Sequence, residues 1–410
     1  MICAPGQSPH QQSVASPAPL SALLSLAFGN FVIGSGALAF IGMLDTVAVD
    51  LHVTPAAAGQ IAGVFSLGIC ISGPILSALT SRSERRHVLT ASLVLFGVGH
   101  VAAALAPGYW SLLAIRVLTA FAGTLFTPQA AATASLLVAG ERRASTMAFV
   151  FLGWSLAAVM GLPLGAWLAV QLSWRAAMWI IAGLSLAAAA LVSWRVPRGL
   201  FVGSIDAAAW RELTRHPALL RVVSVTAIHA SGQFVLFSYL VVAYREALGA
   251  SPNLIAILLG VSGVAGFSGN VFAGRIGDRV GPPVVIFGAI ALMLGAFVVW
   301  LGLFAAGPGP LGVSLAVLAA LLWGSGNFSA NSMQQVRLVN LAPALSSVSV
   351  ALNTSAIYLG QFIGAGLGGL VLSHAFTQPA TRALPWIGLP IFVIALWVSA
   401  SAQRRVEQTR

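Results

Sequence analysis

The chain has 410 residues, 58% hydrophobic and 7% charged, a balance that excludes a water-soluble globule of this size and marks a polytopic membrane protein. Its net charge of +11 comes from basic residues that are all arginine and lie scattered between apolar runs, a pattern of membrane topology that argues against a nucleic-acid partner. Of the two cysteines, Cys3 lies in a polar tail and Cys70 inside an apolar run, so neither a disulfide nor a metal cluster is expected, and no cofactor is implied.

Residues 1–19 are rich in Pro, Ser and Gln, carry no basic residue as a signal peptide would, and read as a disordered tail. Apolar runs long enough to cross a bilayer, at about 20 residues each, follow near 21–43, 57–80, 88–107, 110–137, 145–170 and 175–194. Six more lie near 221–243, 253–275, 284–305, 311–336, 346–372 and 384–401. The predicted fold class is an all-α membrane protein: twelve transmembrane helices in two pseudo-symmetric six-helix bundles, residues 20–194 and 221–402. A linker over 195–220 joins them and a short tail over 403–410 ends the chain. Sixteen arginines fall on the side of the two termini, whereas Arg175, Arg245 and Arg382 fall on the other and Arg116 lies within a span. That bias predicts cytoplasmic termini and a plasma (inner) membrane location. Trp110, Trp174, Trp194, Trp300 and Trp386 lie near span ends, where the ring is expected to anchor at the interface.

The two halves are copies of one layout. A shift of 197 residues carries Thr54-Pro55 onto Ser251-Pro252, Gly63 onto Gly260, Leu79 onto Ile276 and Arg82 onto Arg279. The hydroxyl-proline pairs mark helix starts at spans two and eight. After span eight, the stretch Gly274 to Gly281 packs Arg275, Asp278 and Arg279 between glycines. Charges this close to a bilayer are costly unless paired, so a joint between two helices is expected, with Asp278 pairing to nearby arginines. The first copy of this joint has no such acid and carries Arg82, Arg85 and Arg86. Gly274, Asp278, Arg279 and Gly281 with these three arginines form the expected gating set.

Span five repeats small residues every four positions at Gly153, Ala157, Gly161 and Gly165, and span eleven does so at Ala356, Gly360, Gly364 and Gly368. Such stripes let backbones approach closely. Pro163, between Gly161 and Gly165, removes a backbone hydrogen bond and predicts a kink or pivot, which adds these three residues to the gating set.

Polar side chains inside spans are few. Arg116 is a fixed charge expected to face the bundle interior. His229 and Gln233 share one helix face, as do Asn327 and Asn331, and both faces are expected to line a central cavity. Asn30, Asn353 and Gln361 complete that polar set. All nine acids lie at tails, loops or span ends. The candidates for proton exchange are therefore Asp45, at the outer end of span one, and His229, whose imidazole titrates near neutral pH.

These features resemble the major facilitator superfamily, in particular its twelve-span drug/proton antiporter branch of sugar, nucleoside and drug exporters, over about residues 20 to 402. Gly274 to Gly281 resembles the loop signature between spans eight and nine, and Arg82, Arg85 and Arg86 its partner between spans two and three. Arg116 within Leu112-Leu113-Ala114-Ile115-Arg116 is similar to the span-four arginine motif. Gly161-Leu162-Pro163-Leu164-Gly165, followed by Ser173-Trp174-Arg175, is similar to the span-five signature associated with export. One departure is that Gly34-Ser35-Gly36-Ala37 in span one lacks the acid often found there. The resemblance implies a monomeric, proton-coupled antiporter exporting a small-molecule cargo by alternating access, with protons and the lipid bilayer as its other partners. An uptake carrier or a uniporter for a neutral metabolite is the alternative. Gly260-Val261-Ser262-Gly263 also matches the short pattern of rhomboid-type serine proteases, a remote alternative that needs a base beside Ser262. The chain has no lysine, so a phosphate-binding loop for ATP is excluded.

Overall fold

The computed structural model describes residues 20–80, 82–138, 143–201, 211–213, 215–374 and 380–408. The tail over 1–19 and much of the linker over 195–220 lie outside the described residues. In the first half α1 (Leu20–Gly42), α3 (Pro55–Leu79), α4 (Arg85–Ala104) and α5 (Tyr109–Leu136) are the first four spans, with a short α2 (Leu44–Asp50) after the first. Span five is α6 (Arg143–Leu156), a π-helical turn (Ala157–Gly161) and α7 (Leu162–Gln171), and span six is α8 (Trp174–Arg195). The second half repeats the plan with α9 (Pro217–Phe237), a short α10 (Leu240–Leu248), α11 (Pro252–Val280), α12 (Pro282–Ala306), α13 (Pro310–Leu341), α14 (Ser346–His374) and α15 (Leu384–Gln408). Twelve of the described segments are long and apolar enough to cross a membrane. An even number of crossings returns both ends of the described chain to one side, called here the terminal face; the other is the far face.

Local chemistry sets the helix starts. Thr54 Oγ1 accepts from Ala57 N at 3.2 Å and Ser251 Oγ from Leu254 N at 3.3 Å, with Pro55 and Pro252 in the first turn of α3 and α11. These are the caps the sequence repeat predicts. The repeat also reaches a feature that no proline announces. The first and seventh spans break at Met43 and Tyr239, each with a non-helical backbone, and short helices α2 and α10 follow at equivalent positions. Gly274 to Val280 forms the last turns of α11 rather than a turn, and only Gly281, at φ +84°, makes the connection to α12. Arg275, Asp278 and Arg279 are exposed there, so the helix runs past the apolar zone with its charges in solvent. Pro163 is accommodated in an unexpected way. The π turn ends two residues before it, which relieves the clash a proline makes with the preceding turn without breaking the span.

The small-residue stripes pack within each half. A Cβ on Gly161 would lie 2.9 Å from Ser35 Cβ, and one on Gly165 would lie 3.5 Å from Ala39, both on α1. In the second half, a Cβ on Gly360 would meet Ala227 O at 2.5 Å and one on Gly364 would meet Phe234 Cβ at 2.8 Å, both on α9. Equivalent helix pairs, span one with span five and span seven with span eleven, therefore pack backbone to backbone. Trp174 and Trp300 are buried rather than anchored at an interface: Trp174 packs on Phe40 with ring centroids 6.3 Å apart, and Trp300 on Tyr244 at 4.9 Å. Trp110, Trp194 and Trp386 are exposed, as anchors require.

The stripe at α14 gives a direct test. Gly364→Val drives its side chain into α9 and is expected to cost about 1–3 kcal/mol as an overpacking change, lowering the thermal midpoint of the detergent-purified chain. Gly366→Val, two residues away where a Cβ meets nothing within 4 Å, is expected to leave it unchanged. Fluorescence-detected gel filtration after heating compares the two, and equal losses contradict the assignment of the stripe.

Candidate functional site

Two helix pairs join the halves, and they are equivalents under the repeat. Where α3 meets α14, a Cβ on Gly63 would lie 3.4 Å from Ala365 Cβ, and where α11 meets span five, one on Gly260 would lie 3.8 Å from Pro163 Cγ. Chemistry differs three residues on. Ser66 Oγ donates to Gln361 Oε1 at 2.9 Å across the first joint. Gly263, the equivalent of Ser66, abuts the π turn of span five, so that a Cβ there would lie 2.5 Å from Val159 Cα and 2.8 Å from Ala158 O. The glycines of Gly260-Val261-Ser262-Gly263 thus serve helix contact. Ser262 is buried and its hydroxyl donates to Leu258 O at 3.1 Å, the ordinary bond of a serine in a helix.

A ladder of polar contacts seals the seam from the far face to mid-membrane. At the rim Arg245 Nη1 on α10 lies 2.9 Å from Asp45 Oδ2 on α2, joining the two equivalent short helices. Arg245's neighbour Glu246 accepts from Thr381 N at 3.1 Å and Oγ1 at 2.6 Å, which fixes α10 to the connection before α15. Further in, the Tyr239 hydroxyl donates to Ala365 O at 2.7 Å, and Gln60 Nε2 reaches both Ala365 O at 3.3 Å and the Tyr239 oxygen at 3.5 Å. Ser66 and Gln361 form the innermost rung. Apolar packing follows the same line, since Ile41, Leu44, Ala48, Ala58, Leu162 and Ala166 of the first half belong to the core of the second. Burial raises the Asp45 carboxyl above its ordinary value of 3.8, outweighing the opposite pull of Arg245, and Glu246 adds to the rise. Asp50, at the end of α2, is instead lowered by its bond from Arg175, and it also accepts from Trp174 Nε1 at 3.0 Å.

The polar residues inside spans gather in the second half, whereas in the first half Asn30 and Arg116 lie apart. In the second half Phe237 stacks on Trp323 at 4.2 Å, and Gln334 Nε2 donates to Thr226 Oγ1 and Val222 O, both at 3.0 Å. Helices α9 and α13 therefore run side by side in opposite directions, which sets His229 and Gln233 level with Asn331 and Asn327. Asn331 Nδ2 donates to Asn327 Oδ1 at 2.9 Å, and Thr226 Oγ1 donates to Asn353 Oδ1 at 2.6 Å. His229 is fully buried, and neither ring nitrogen has a hydrogen-bond partner among the described residues; Gln233 Oε1, Asn331 Oδ1 and Asn353 Nδ2 are likewise unmatched. In the first half Asn30 Nδ2 donates to Val150 O at 3.1 Å. Arg116 is buried with its guanidinium carbon 4.3 Å from the Phe40 ring and 4.0 Å from the Phe65 ring. The structure thus brings the second-half residues together, leaves Asn30 and Arg116 apart in the first, and among the described residues only Gln361 of the set bonds across the seam.

The expected gating residues separate by half. On the terminal face Arg85 is buried and donates from Nη1 to Gln129 Oε1 at 2.6 Å, while its backbone N–H bonds Leu200 O at 2.9 Å. Arg82 is exposed and Arg86 half-buried. In the second copy Gly274 is half-buried with open space around it, Asp278 and Arg279 are exposed, and Asp278 makes no ion pair among the described residues. The ends of both copies are bare: Leu79 is 72% exposed and Ile276 49%.

A family model described as Major Facilitator Superfamily matches residues 26–365. The chain belongs to that superfamily. Among curated relatives, the inner membrane transport protein YdhP of Escherichia coli (strain K12) is 26% identical over 93% of this chain and 96% of its own length. The uncharacterized MFS-type transporter YtbD of Bacillus subtilis (strain 168) is 30% identical over 87% and 90%. Among solved structures, a D-xylose-proton symporter aligns with a TM-score of 0.75 at 17% identity over 93% of this chain and 97% of that one. A bacterial homolog of the human lysosomal transporter Spinster, inward-facing and unoccupied, aligns at 0.73 and 17% over 96% and 99%. The chain is a multi-pass membrane transporter of the twelve-helix fold, a secondary carrier and not an enzyme.

Sequence reasoning missed Gln60, Ser66, Tyr239 and Arg245 as seam residues. Their signal is weak, because each is an ordinary polar side chain whose partner lies in the other half. Besides its bond to Ala365 O within the second half, the Tyr239 hydroxyl meets Gln60 Nε2 and Ala56 O across the seam, each at 3.5 Å, and Tyr239→Phe removes both cross-seam contacts, a net change of about 1 kcal/mol. Spin labels at Val49 and Trp386, both exposed on the far face in opposite halves, are expected to gain a longer-distance component, with the open fraction rising about fivefold. An unchanged distance distribution would show that Tyr239 does not hold the seam.

Proposed function

We propose that the chain exports a small neutral or weakly polar molecule by alternating access, taking up a proton from the far side as the far face closes and releasing it to the terminal side before the far face reopens. The observation that carries this reading is the one-sided seam: the rungs from Asp45–Arg245 to Ser66–Gln361 run from the far face to mid-membrane, while the terminal-side ends of α3 and α11 lie exposed. A carrier closed on one side needs the halves to rock to release cargo on the other. The arginine bias turns the far face outward and both termini toward the cytoplasm, and the inner-membrane relative supports that location. Export is favoured by the likeness of Gly161 to Gly165, with Ser173-Trp174-Arg175, to the export signature. The cargo is placed between the halves beside Gln361, where the described residues offer no carboxylate to a charged cargo. Closing the terminal face brings Asp278 to the arginines of the first copy, with Gly161, Pro163 and Gly165 flexing span five. One chain contains both halves and their seam, so the monomer is the working unit.

Asp45 is the group we assign to proton coupling. Its carboxyl is held above 3.8 by burial in the closed seam, and it returns toward that value when the far face opens and rehydrates it. The closed state therefore binds the proton more tightly, and its advantage falls as pH rises from 3.8 through the raised value. Acid on the far side favours closure, which is the sense a proton-driven exporter requires. His229 sits inside the second half, away from the seam, where rocking changes its surroundings less.

The test uses proteoliposomes with an imposed pH gradient and three probes, a cationic dye, a labelled nucleoside and a labelled pentose. Wild type is expected to concentrate at least one probe against its gradient. Asp45→Asn is expected to abolish that concentration while gradient-free exchange survives, and His229→Gln is expected to retain it. Loss in His229→Gln with retention in Asp45→Asn would move the coupling to His229. Equilibration of the probes by wild type, without response to pH, would replace antiport by facilitated diffusion.

A further inference from the structure

Arg116 carries a charge that the described structure does not balance. It is 1% exposed, and none of its three guanidinium nitrogens has a hydrogen-bond partner among the described residues. Phe40 and Phe65, 3% and 2% exposed, meet its carbon at 4.3 and 4.0 Å. Their faces offset part of the charge, but they offer no oxygen or nitrogen to its five N–H groups. The nearby wall is polar but carries no negative charge. One turn of α1 from Phe40, a Cβ on Gly36 would lie 2.8 Å from the buried His100 Nε2, while His100 Nδ1 lies 2.8 Å from Phe96 O, so the imidazole is tied to the backbone of its neighbours and supplies no counter-charge. The described acids of this half stand elsewhere: Asp45 pairs with Arg245, Asp50 with Arg175, and Glu84 with His87 on the terminal face.

A guanidinium in hydrocarbon without a counter-charge is expensive, and the two rings are worth only about 0.5–2 kcal/mol each. We infer that the interior of the first half holds a compact monoanion on Arg116, a carboxylate or a halide, seated at the guanidinium edge with Phe40 and Phe65 packed against the group. A carboxylate matches the planar fork with two parallel N–H···O bonds, whereas a halide takes the charge without the fork. The site lies among α1, α3 and α5 of one half, apart from the polar faces of α9 and α13. The inference is independent of transport direction and of Asp45, because its readout is binding to the purified chain.

The experiment measures the thermal midpoint of the full chain in detergent by tryptophan fluorescence while potassium chloride, or separately potassium acetate, replaces potassium sulfate at constant ionic strength. A ligand that binds the folded chain raises the midpoint in a saturable way. Wild type is expected to respond to at least one of the two. A response to chloride alone assigns a free halide, and a stronger one to acetate assigns a free carboxylate. Arg116→Gln is expected to respond to neither. Arg116→Lys keeps the charge and loses the fork, so its apparent affinity for acetate is expected to fall about tenfold more than for chloride. Phe65→Leu keeps the saturable response at reduced affinity. Should Arg116→Gln fail to fold, the contrast between wild type and Arg116→Lys decides. A flat wild type, an Arg116→Gln response equal to wild type, or an Arg116→Lys protein indistinguishable from wild type toward both anions overturns the site.

Discussion

The structure depends on one constraint, the closeness with which the halves can meet inside a bilayer. Apolar surfaces gain little from each other when lipid is equally apolar, so association rests on packing and on polar contacts. Glycine at two repeat-related positions, Gly63 and Gly260, opens both joints between the halves to close approach. The same residue type within each half, along span five and along α14, brings span one to span five and span seven to span eleven. Glycine thus joins the halves internally and to each other.

The two joints have diverged in chemistry while keeping their place. Ser66 and Gln361 give the first a specific hydrogen bond, whereas Gly263 gives the second backbone contact with a π turn that Pro163 follows. One joint holds by direction and the other by fit. A hydrogen bond must break or slide for the halves to rock, while a smooth contact on a locally unwound turn can roll. At the far rim the symmetry is broken by charge: α2 and α10 are equivalent elements, but one supplies Asp45 and the other Arg245. An internal repeat cannot pair with itself unless its copies differ, and here one has taken the acid and the other the base.

Much of this architecture is legible in the sequence. Twelve apolar runs, the caps at Thr54 and Ser251 and the shift of 197 residues fix the fold, because hydrophobic length and helix-start chemistry are local properties. The breaks at Met43 and Tyr239 are not legible, since no proline marks either and the residues directly after them, Leu44 and Leu240, are apolar and enter the core at the far face. Trp174 and Trp300 look like interface anchors by position, yet each packs at a tilt against an aromatic neighbour brought by another helix. The interior polar residues are identifiable as a set, but which of them meet follows from helix neighbours, which bring Thr226 to Asn353 and leave Asn30 on Val150. The seam residues are the least legible, because Ser66 and Gln361 meet across nearly 300 positions. The stretch from Gly274 to Gly281 is recognisable by its charges even though it proves to be mostly helix.

The central claim is that the two halves rock as units about the joints at Gly63 and Gly260, so that opening one face closes the other. Pulsed spin-label distances across both faces test it most directly, with one pair at Val49 and Trp386 on the far face and a second at Ser83 and Val280 on the terminal face, all exposed positions. Across conditions that shift the equilibrium, the account predicts reciprocal change: as the far-face distance lengthens, the terminal-face distance shortens in the same fraction of molecules. Far-face opening with the terminal-face distance fixed, or both distances lengthening together, would contradict it.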